Sequence, residues 1–374
     1  MQEYLNSISM TNNLTIGMPK EQIPTPALIL DLDIFEENLH RMADFFNGPV
    51  KLRPHIKTHK CPIIAHEQIK AGAIGITCAK LSEAEVMAEH GIEDILIANQ
   101  VAGFGKPERL AALAGRTHIK VAVDNKANID DLAAAATRFD TQIGVVIEVN
   151  VGNNRCGSRS PKDMLDLATY ISTKQGLIFK GLMGYEGHCV FTADKATRSA
   201  ECLLANKILV DSAELLRSHG FKVEVVSAGG TGTYDMSGIY PGITEVEAGS
   251  YLFMDGRYSG ILGNDMFRPS LWVLSTVISK PESGLALIDA GMKSLTHEFG
   301  LPQPRLHEAS LAGLSEEHGR LILTPERDTL KVGDLVEVWP SHGCTTVNLH
   351  DRYCVLKNNR LVAVWDIACR GKSQ

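Results

Sequence analysis

The chain has 374 residues, of which 44% are hydrophobic and 22% charged, and its formal net charge at pH 7 is -7. This composition is that of a globular protein long enough for one large domain and a smaller one. The acidic balance argues against a nucleic-acid surface, and no apolar stretch is long enough to span a bilayer. The first twenty residues show no secretory signal, and the 8 scattered cysteines suggest free thiols in a reducing compartment. We therefore expect a cytoplasmic enzyme or binding protein.

Short apolar runs alternate with longer segments of helical period through the first two thirds of the chain. The runs predict strands and the longer segments predict helices. The predicted strands lie at 27–31, 50–53, 73–77, 94–98, 119–123, 143–149, 179–183, 223–227 and 245–253. About eight such strand–helix repeats favour a (β/α)8 barrel of the TIM type over an open doubly wound sheet. No G-x-G-x-x-G motif follows the first strand, which further disfavours a dinucleotide-binding fold.

The pattern changes near Tyr258 to short, β-rich runs. These runs lie at 271–279, 284–288, 321–324, 335–339, 353–357 and 361–367, with a turn predicted at 358–360. Such spacing predicts a mostly antiparallel β domain with hairpins. We therefore assign residues 24–256 to the barrel and residues 257–374 to a C-terminal β domain, with which residues 1–23 are expected to pack.

A basic run at 53–60, with the sequence RPHIKTHK, follows the second predicted strand. Such charge runs are commonly solvated loops, and in isolation that interpretation is favoured. In the alternative, positive neighbours lower the pKa of one lysine so that it attacks a carbonyl group. Reactive groups of barrel enzymes lie at the carboxyl ends of strands, which favours Lys57 as that lysine. Arg53, His55 and Lys60 are then expected to supply a positive field around it.

Four further polar or glycine-rich clusters follow later strands of the predicted barrel, at 148–157, 184–188, 227–233 and 247–251. The backbone N–H groups of residues 229–232 can approach an anion closely because glycine carries no Cβ. Phosphate sites of barrels are often shared by the last two loops, although either glycine cluster alone is also consistent with a tight turn. A lysine and a phosphate site in one barrel suggest pyridoxal 5′-phosphate. Arg155 or Tyr185 is then expected to face its pyridine ring.

The sequence SHGC at 341–344 follows a predicted strand of the β domain. His342 and Cys344 can both bind one borderline metal ion such as Zn²⁺. Alone this pattern is a weak signal, because free cysteine is more often a small core residue. Bound water and a substrate hydroxyl could complete the coordination, as in a catalytic site.

Several of these segments together resemble the D-threonine aldolase and D-serine dehydratase family. The matching segments are 25–27, 53–60, 181–188, 229–232 and 340–344, and the likeness runs from about residue 24 to the end of the sequence. The resemblance implies the alanine-racemase-type fold, in which a pyridoxal-phosphate barrel precedes a C-terminal β domain. It also implies a homodimer that acts on a small D-amino acid.

The resemblance further implies a role for each matching residue. Lys57 becomes the Schiff-base lysine, and the other cofactor-binding residues are Arg155, Tyr185, Gly230, Thr231, Gly249 and Ser250. His342 and Cys344 become ligands of a divalent metal ion (Zn, Mn or Mg). His59 and His188 lie in motifs near the metal and substrate, where each is expected to act as a base or a water-mediated ligand.

Two reactions remain open from the sequence. We favour retro-aldol cleavage of a D-β-hydroxy amino acid to glycine and an aldehyde, in which a base removes the β-hydroxyl proton and the metal lowers its pKa. The alternative is dehydration of D-serine or D-3-hydroxyaspartate to a 2-oxo acid and ammonia. The His-x-Cys pair resembles the dehydratases, whereas segments 249–255 and 345–351 resemble the aldolases. A racemase would need a second acid or base that is not evident, and a non-catalytic cofactor carrier would lack the β domain.

Overall fold

The computed structural model describes residues 14–306, 308–325 and 328–374, which form two compact units. One unit contains residues 39–251 and 371–374, and the other contains the described residues up to Asn38 together with Leu252–Arg370. The sequence-based division at residues 24 and 256 differs at both boundaries: residues 24–38 group with the second unit, and so do residues 252–256. The first difference is the larger. The expected packing of residues 1–13 lies outside the described residues and stays a prediction.

Strand β1 (Ala27–Asp31) accounts for that difference. It was expected as the first strand of the barrel, and this expectation is wrong: β1 pairs in the second unit with a strand that contains Leu271 and with one that contains Cys354. Four of its five residues are buried, so it is an interior strand of that sheet. An apolar run of this length indicates a buried strand, but its composition does not say which sheet the strand joins.

The unit formed by residues 39–251 is built around eight parallel strands. They are β2 (Lys51–Leu52), β3 (Ile76–Cys78), β4 (Asp94–Gln100), β5 (His118–Val123), β6 (Ile143–Glu148), β7 (Leu177–Met183), β8 (Val225–Ala228) and β9 (Glu245–Val246). Their order in the sheet is β2-β9-β8-β7-β6-β5-β4-β3. Two backbone hydrogen bonds close the ring, from Ile74 N to Leu52 O (3.0 Å) and from Thr77 N to Pro54 O (2.9 Å). The predicted parallel barrel is therefore confirmed.

Helices connect consecutive barrel strands. They span Pro62–Lys70, Leu81–Glu89, Lys106–Ala114, Lys126–Arg138, Pro161–Ser172, Lys195–Ser218 and Tyr234–Ser237. Local residues set where they begin: the side chains of Asn125, Ser160 and Asp194 each accept a hydrogen bond from a backbone N–H in the first turn. Because all eight strands are parallel, the loops that join each strand to the following helix gather at one end of the barrel. No helix in the described ranges is long and apolar enough to cross a membrane.

The second unit contains a nine-stranded sheet. Besides β1 its strands are β10 (Leu271–Glu282), β11 (Leu285–Ile288), β12 (Gln303–Pro304), β13 (Ala309–Leu314), β14 (Gly319–Leu323), β15 (Leu335–Trp339), β16 (Arg352–Lys357) and β17 (Arg360–Asp366). All pairings are antiparallel except that of β1 with β16. The predicted antiparallel domain is thus confirmed.

The core of this unit lies under the central strands. Its buried members include Ile23, Ile29, Trp272 and Leu361, which pack together. The predicted turn between β16 and β17 is present, with positive φ at Asn358 (51°) and Asn359 (56°), the combination a tight hairpin requires. The helices associated with this unit are Gly256–Leu262 and Gly343–Val347, and Leu32–Phe45 contains the boundary at residue 38.

Candidate active site

Lys57 lies in a short 3-10 turn, Ile56–Thr58, which begins four residues after the end of β2. His55 precedes the turn in an extended conformation, and its Nδ1 accepts a hydrogen bond from Lys57 N over 3.3 Å. The two neighbours of Lys57 in the turn are buried, whereas Lys57 itself is half-buried. The turn therefore places Lys57 at the carboxyl end of a barrel strand, in the loop region where barrel enzymes hold reactive groups.

The ring of Tyr185 is the common neighbour of the two cationic side chains. Lys57 Nζ lies 5.4 Å from its centroid and Arg155 Cζ lies 5.9 Å from it, within the range of a cation–π interaction. Arg155 Nη2 also lies 3.9 Å from Glu148 Oε1. Lys57 follows β2, Arg155 follows β6 and Tyr185 follows β7. The barrel therefore brings together three side chains that are far apart in sequence.

The remaining cations of the basic run are paired with carboxylates. Arg53 Nε lies 2.9 Å from Glu245 Oε1, and Lys60 Nζ lies 2.5 Å from Glu83 Oε1. Burial, followed by the charge of Lys57, holds the pKa of His55 well below its ordinary value, so that His55 is neutral at pH 7. We expected Arg53, His55 and Lys60 to supply a positive field around Lys57. The structure corrects this expectation, because two of the three are paired with carboxylates and the third is neutral.

His59 is enclosed in the protein. Its Nδ1 accepts a hydrogen bond from Cys61 N (3.1 Å), and its Nε2 donates to Gln68 Oε1 (3.1 Å). Gln68 in turn donates to Tyr251 Oη over 3.0 Å. Burial lowers the pKa of His59 to about 3, so it is neutral at physiological pH. With both ring nitrogens bonded inside the protein, His59 has none directed at a substrate in this structure.

The two glycine loops after β8 and β9 adjoin each other and the lysine turn. Tyr251 N donates to Thr231 Oγ1 over 3.1 Å, and Ser250 Oγ lies 3.3 Å from Thr58 Oγ1. A Cβ at Gly249 would lie 2.4 Å from His55 O, so only glycine allows this approach. The structure thus brings together Thr58, next to Lys57, and both predicted phosphate loops.

The donors that these loops offer differ from those expected. Gly229 N and Gly230 N donate to Glu186 Oε2 (3.2 Å) and Thr233 Oγ1 (3.1 Å). Within the described part of the chain, no protein acceptor lies within hydrogen-bond distance of the N–H groups of residues 231, 232 and 249. Gly230 contributes mainly by lacking a side chain, since a Cβ there would lie 3.2 Å from Tyr185 Cε2.

His188 is exposed and follows Tyr185 in the same segment. A Cβ at Gly152 would lie 2.7 Å from His188 Cε1, and one at Gly187 would lie 2.5 Å from Tyr185 Cε1. Two glycines therefore provide the space that the two rings occupy. Glycine is further required at position 152, where φ is +127°.

Two carboxylates near these loops were not predicted from the sequence. Glu186 lies beneath the first glycine loop, and Glu247 accepts a hydrogen bond from Ser227 Oγ over 2.7 Å. Burial raises the pKa of Glu247 to about 7, although Ser227 and Lys57 act in the opposite direction. The sequence signal for both was their position beside a strand end, a property shared by many surface carboxylates.

The other unit contains the predicted metal ligands. His342 Nδ1 donates to Glu298 Oε1 (2.6 Å), and the Thr345 hydroxyl donates to the same oxygen. The Phe299 ring stacks on His342 with centroids 4.4 Å apart. Burial alone would lower the pKa of His342, but Cys344 and Glu298 raise it to about 9. The arrangement fixes the imidazole and leaves Nε2 as its candidate ligand atom.

The described residues contain no group of three or more His, Cys, Asp and Glu side chains arranged to hold a metal ion. Among the residues that the structure describes, His342 and Cys344 therefore form at most a two-residue ligand set. Such a set would leave coordination positions for water or substrate, as catalytic sites require.

Comparison with known proteins shows similarity along the whole chain. Residues 30–256 match the alanine racemase N-terminal domain family, and residues 270–356 match a serine dehydratase domain family. The chain is 38% identical to a D-threonine aldolase from Arthrobacter sp over 383 residues, with 100% of both chains covered. It is 34% identical to a 3-hydroxy-D-aspartate aldolase from Paracoccus denitrificans, with 95% of this chain and 94% of that protein covered.

The similarity includes a dehydratase and a solved structure. A D-threo-3-hydroxyaspartate dehydratase from Delftia sp. is 30% identical, with 92% of this chain and 97% of that protein covered. The crystal structure of D-threonine aldolase from Filomicrobium marinum superposes with a TM-score of 0.94 at 36% identity, covering 96% of this chain and 100% of that chain.

Proposed function

This chain belongs to the D-threonine aldolase and D-serine dehydratase family of pyridoxal-phosphate enzymes, and from that premise we propose that it cleaves D-β-hydroxy amino acids to glycine and an aldehyde. The observation that carries the proposal is the junction of Thr58, beside Lys57, with both glycine loops. The two relatives named as aldolases share more sequence with this chain than the Delftia dehydratase does, which favours carbon–carbon cleavage.

The residues at this junction fit pyridoxal phosphate. The N–H groups of Thr231, Gly232 and Gly249 are donors that a phosphate could use, and the hydroxyl of Ser250 adds another. We assign Thr231, Gly232, Gly249 and Ser250 to the phosphate, whereas Gly230, whose N–H donates to Thr233, leaves room for the ring of Tyr185. Bound there, the cofactor supplies an electron sink for the electron pair left when the Cα–Cβ bond breaks.

The remaining residues of the barrel site divide by position. Lys57 is proposed as the amine that binds the cofactor, because it is the half-buried lysine in the turn that contacts the second glycine loop through Thr58. Tyr185 and Arg155 form the adjacent wall. These side chains orient the cofactor and occupy space that water would otherwise fill.

His188 is the proposed base for the β-hydroxyl proton. Its ring is exposed, whereas His59 and His55 are buried and held neutral by their surroundings. An exposed imidazole can come within hydrogen-bond distance of a substrate hydroxyl, as general-base catalysis requires. We therefore reassign His59 to positioning, because its hydrogen bonds connect the lysine turn to Gln68 and through it to Tyr251.

A divalent metal ion is the second proposed cofactor, held by His342 and Cys344. The residues fit a borderline ion: one imidazole nitrogen is fixed by Glu298, and a thiolate favours Zn²⁺ over Mg²⁺. Such an ion would supply Lewis acidity toward a hydroxyl oxygen. We also propose a homodimer from the family resemblance, and a cytoplasmic location because all eight cysteines are free thiols.

Dehydration is the second candidate function, and Cys344 is the observation that favours it, since the His-x-Cys pair resembles that of the dehydratases. The deciding experiment incubates the purified protein with D-threonine, D-serine and D-3-hydroxyaspartate and identifies the products. Glycine plus an aldehyde is the expected result. A 2-oxo acid plus ammonia would replace the aldolase assignment with the dehydratase one, and no turnover of any substrate would overturn both.

A further inference from the structure

A buried carboxylate without a role in the proposed chemistry lies beneath the first glycine loop. Glu186 is 0% exposed. Its Oε2 accepts a hydrogen bond from Gly229 N (3.2 Å), and its Oε1 accepts from the hydroxyls of Thr233 (2.5 Å) and Ser237 (3.2 Å). A buried carboxylate is costly unless donors surround it, and here three donors of one loop and its following helix do so.

The same network reaches the second glycine of the loop. Thr233 Oγ1 donates to Glu186 and accepts from Gly230 N over 3.1 Å. Glu186 therefore engages the N–H of Gly229 directly and that of Gly230 through one hydroxyl. As a result, the first two N–H groups of the loop donate into the protein. Those of Thr231 and Gly232 remain without a protein acceptor among the described residues.

The backbone packs closely around this arrangement. A Cβ at Gly232 would lie 2.4 Å from Val190 O, and one at Gly230 would lie 3.2 Å from Tyr185 Cε2. The loop therefore packs directly against segment 185–190, which contains Glu186 itself. One short segment consequently supplies both the ring beside Lys57 and the carboxylate that shapes the phosphate loop.

We propose that Glu186 is a positioning residue for the cofactor phosphate: by holding the N–H groups of Gly229 and Gly230, it presents those of Thr231 and Gly232 to the anion. This inference rests on the proposed function, because the anion is the phosphate of the cofactor. The contribution is geometric, since a carboxylate repels a nearby phosphate electrostatically. A neutral side chain of the same shape at position 186 should therefore preserve the position of the loop.

The test compares pyridoxal phosphate with pyridoxal, which can react with Lys57 but lacks the phosphate. The full chain is stripped of cofactor, and each compound is titrated while the absorbance of the bound form is recorded. We expect Glu186→Ala to weaken binding of pyridoxal phosphate at least tenfold and to leave binding of pyridoxal within twofold. Glu186→Gln should retain most of the affinity, because its carbonyl can accept from Gly229 and Thr233 can turn to Gly230 O, 3.4 Å away.

Two further variants keep the result interpretable. Glu201→Ala is the control: it removes a carboxylate outside the loop that accepts a hydrogen bond from Thr192. It should leave the ratio of the affinities for pyridoxal phosphate and pyridoxal unchanged. Thr233→Val removes the link to Gly230 and one of the donors to Glu186, while Gly229 N and Ser237 Oγ still hold the carboxylate. It should therefore lower the affinity for pyridoxal phosphate relative to pyridoxal less than Glu186→Ala does, and it is the deciding variant if Glu186→Ala does not fold. If Glu186→Ala and Thr233→Val both keep the wild-type ratio of affinities for pyridoxal phosphate and pyridoxal, and the wild type binds tightly, this inference alone is overturned. Failure of the wild type to bind either compound would overturn the proposed function itself.

Discussion

Arg53 donates from Nε to Glu245 Oε1 over 2.9 Å inside the barrel, where the two side chains are only 3% and 4% exposed. Its Nη1 also lies 2.5 Å from Asp94 Oδ1, and Lys120 Nζ lies 2.8 Å from the same oxygen. Four charged side chains from four strands or strand ends therefore neutralise one another in the barrel. Removing one member of a buried pair leaves its partner without compensation, which costs more than the pair itself contributes.

We expect Arg53→Met to lower the free energy of unfolding by about 3–5 kcal/mol, because Glu245 loses its buried partner. Chemical denaturation measures the change. Lys162→Met, which removes an exposed pair with Asp166, is the matched control and should leave stability unchanged. Equal stability of the two variants would contradict the structural role assigned to Arg53.

Lys57→Ala should abolish the absorbance band of the protein-bound cofactor, because the amine proposed to bind it is lost. Spectra of the protein mixed with pyridoxal phosphate measure the effect. Lys60→Ala changes the other lysine at the end of the same run, which pairs with Glu83, and should retain the band while losing stability. Survival of the band in Lys57→Ala would refute the assignment of the lysine.

His188→Ala should lower kcat by about 100-fold or more while leaving cofactor binding intact, because a general base is removed and the cofactor ligands remain. Gly152→Ala should produce a smaller loss of the same kind, since its Cβ would lie 2.7 Å from His188 Cε1 and its φ is +127°. Steady-state kinetics with D-threonine measure both variants. A loss of cofactor in either variant would point instead to damage of the site as a whole.

His342→Ala and Cys344→Ala should each lose bound metal, measured by elemental analysis after dialysis, while the cofactor absorbance persists. The reason is that the proposed metal ligands and cofactor ligands belong to different compact units. A chelator should likewise stop turnover and preserve the band. His318→Ala, a substitution in an exposed loop of the same unit, is the control and should retain the metal. Cofactor loss on chelation would contradict the assignment of metal and cofactor to different ligand residues.

Burial makes His59 a determinant of acid stability. Its pKa falls from 6.5 to about 3 on folding, so below pH 6.5 the unfolded chain binds a proton that the folded chain does not. Stability contributed by this group is therefore complete above pH 6.5 and is lost toward pH 3, with a limiting slope of about 1.4 kcal/mol per pH unit. His59→Gln should flatten that slope, measured by urea unfolding between pH 4.5 and 8. An unchanged slope would refute the buried neutral state.

Periodicity and motif spacing were sufficient to predict the general architecture. Strands and helices alternate because local hydrophobic patterns and capping residues act over a few positions, and the eight parallel strands follow from them. The motif around Lys57 and the glycine loops at 229–232 and 249–251 could likewise be recognised, because each is short and contiguous.

Only the tertiary structure decided which sheet β1 joins and what each member of the basic run contacts. Arg53 and Lys60 are paired with Glu245 and Glu83, 192 and 23 residues away, and His59 is bonded through Gln68 to Tyr251. Such partners are chosen by chain packing, because burial makes any unpaired charge or polar group costly wherever its partner lies in sequence. The sequence by itself determined the fold class and a candidate lysine; long-range burial decided the charge of its surroundings.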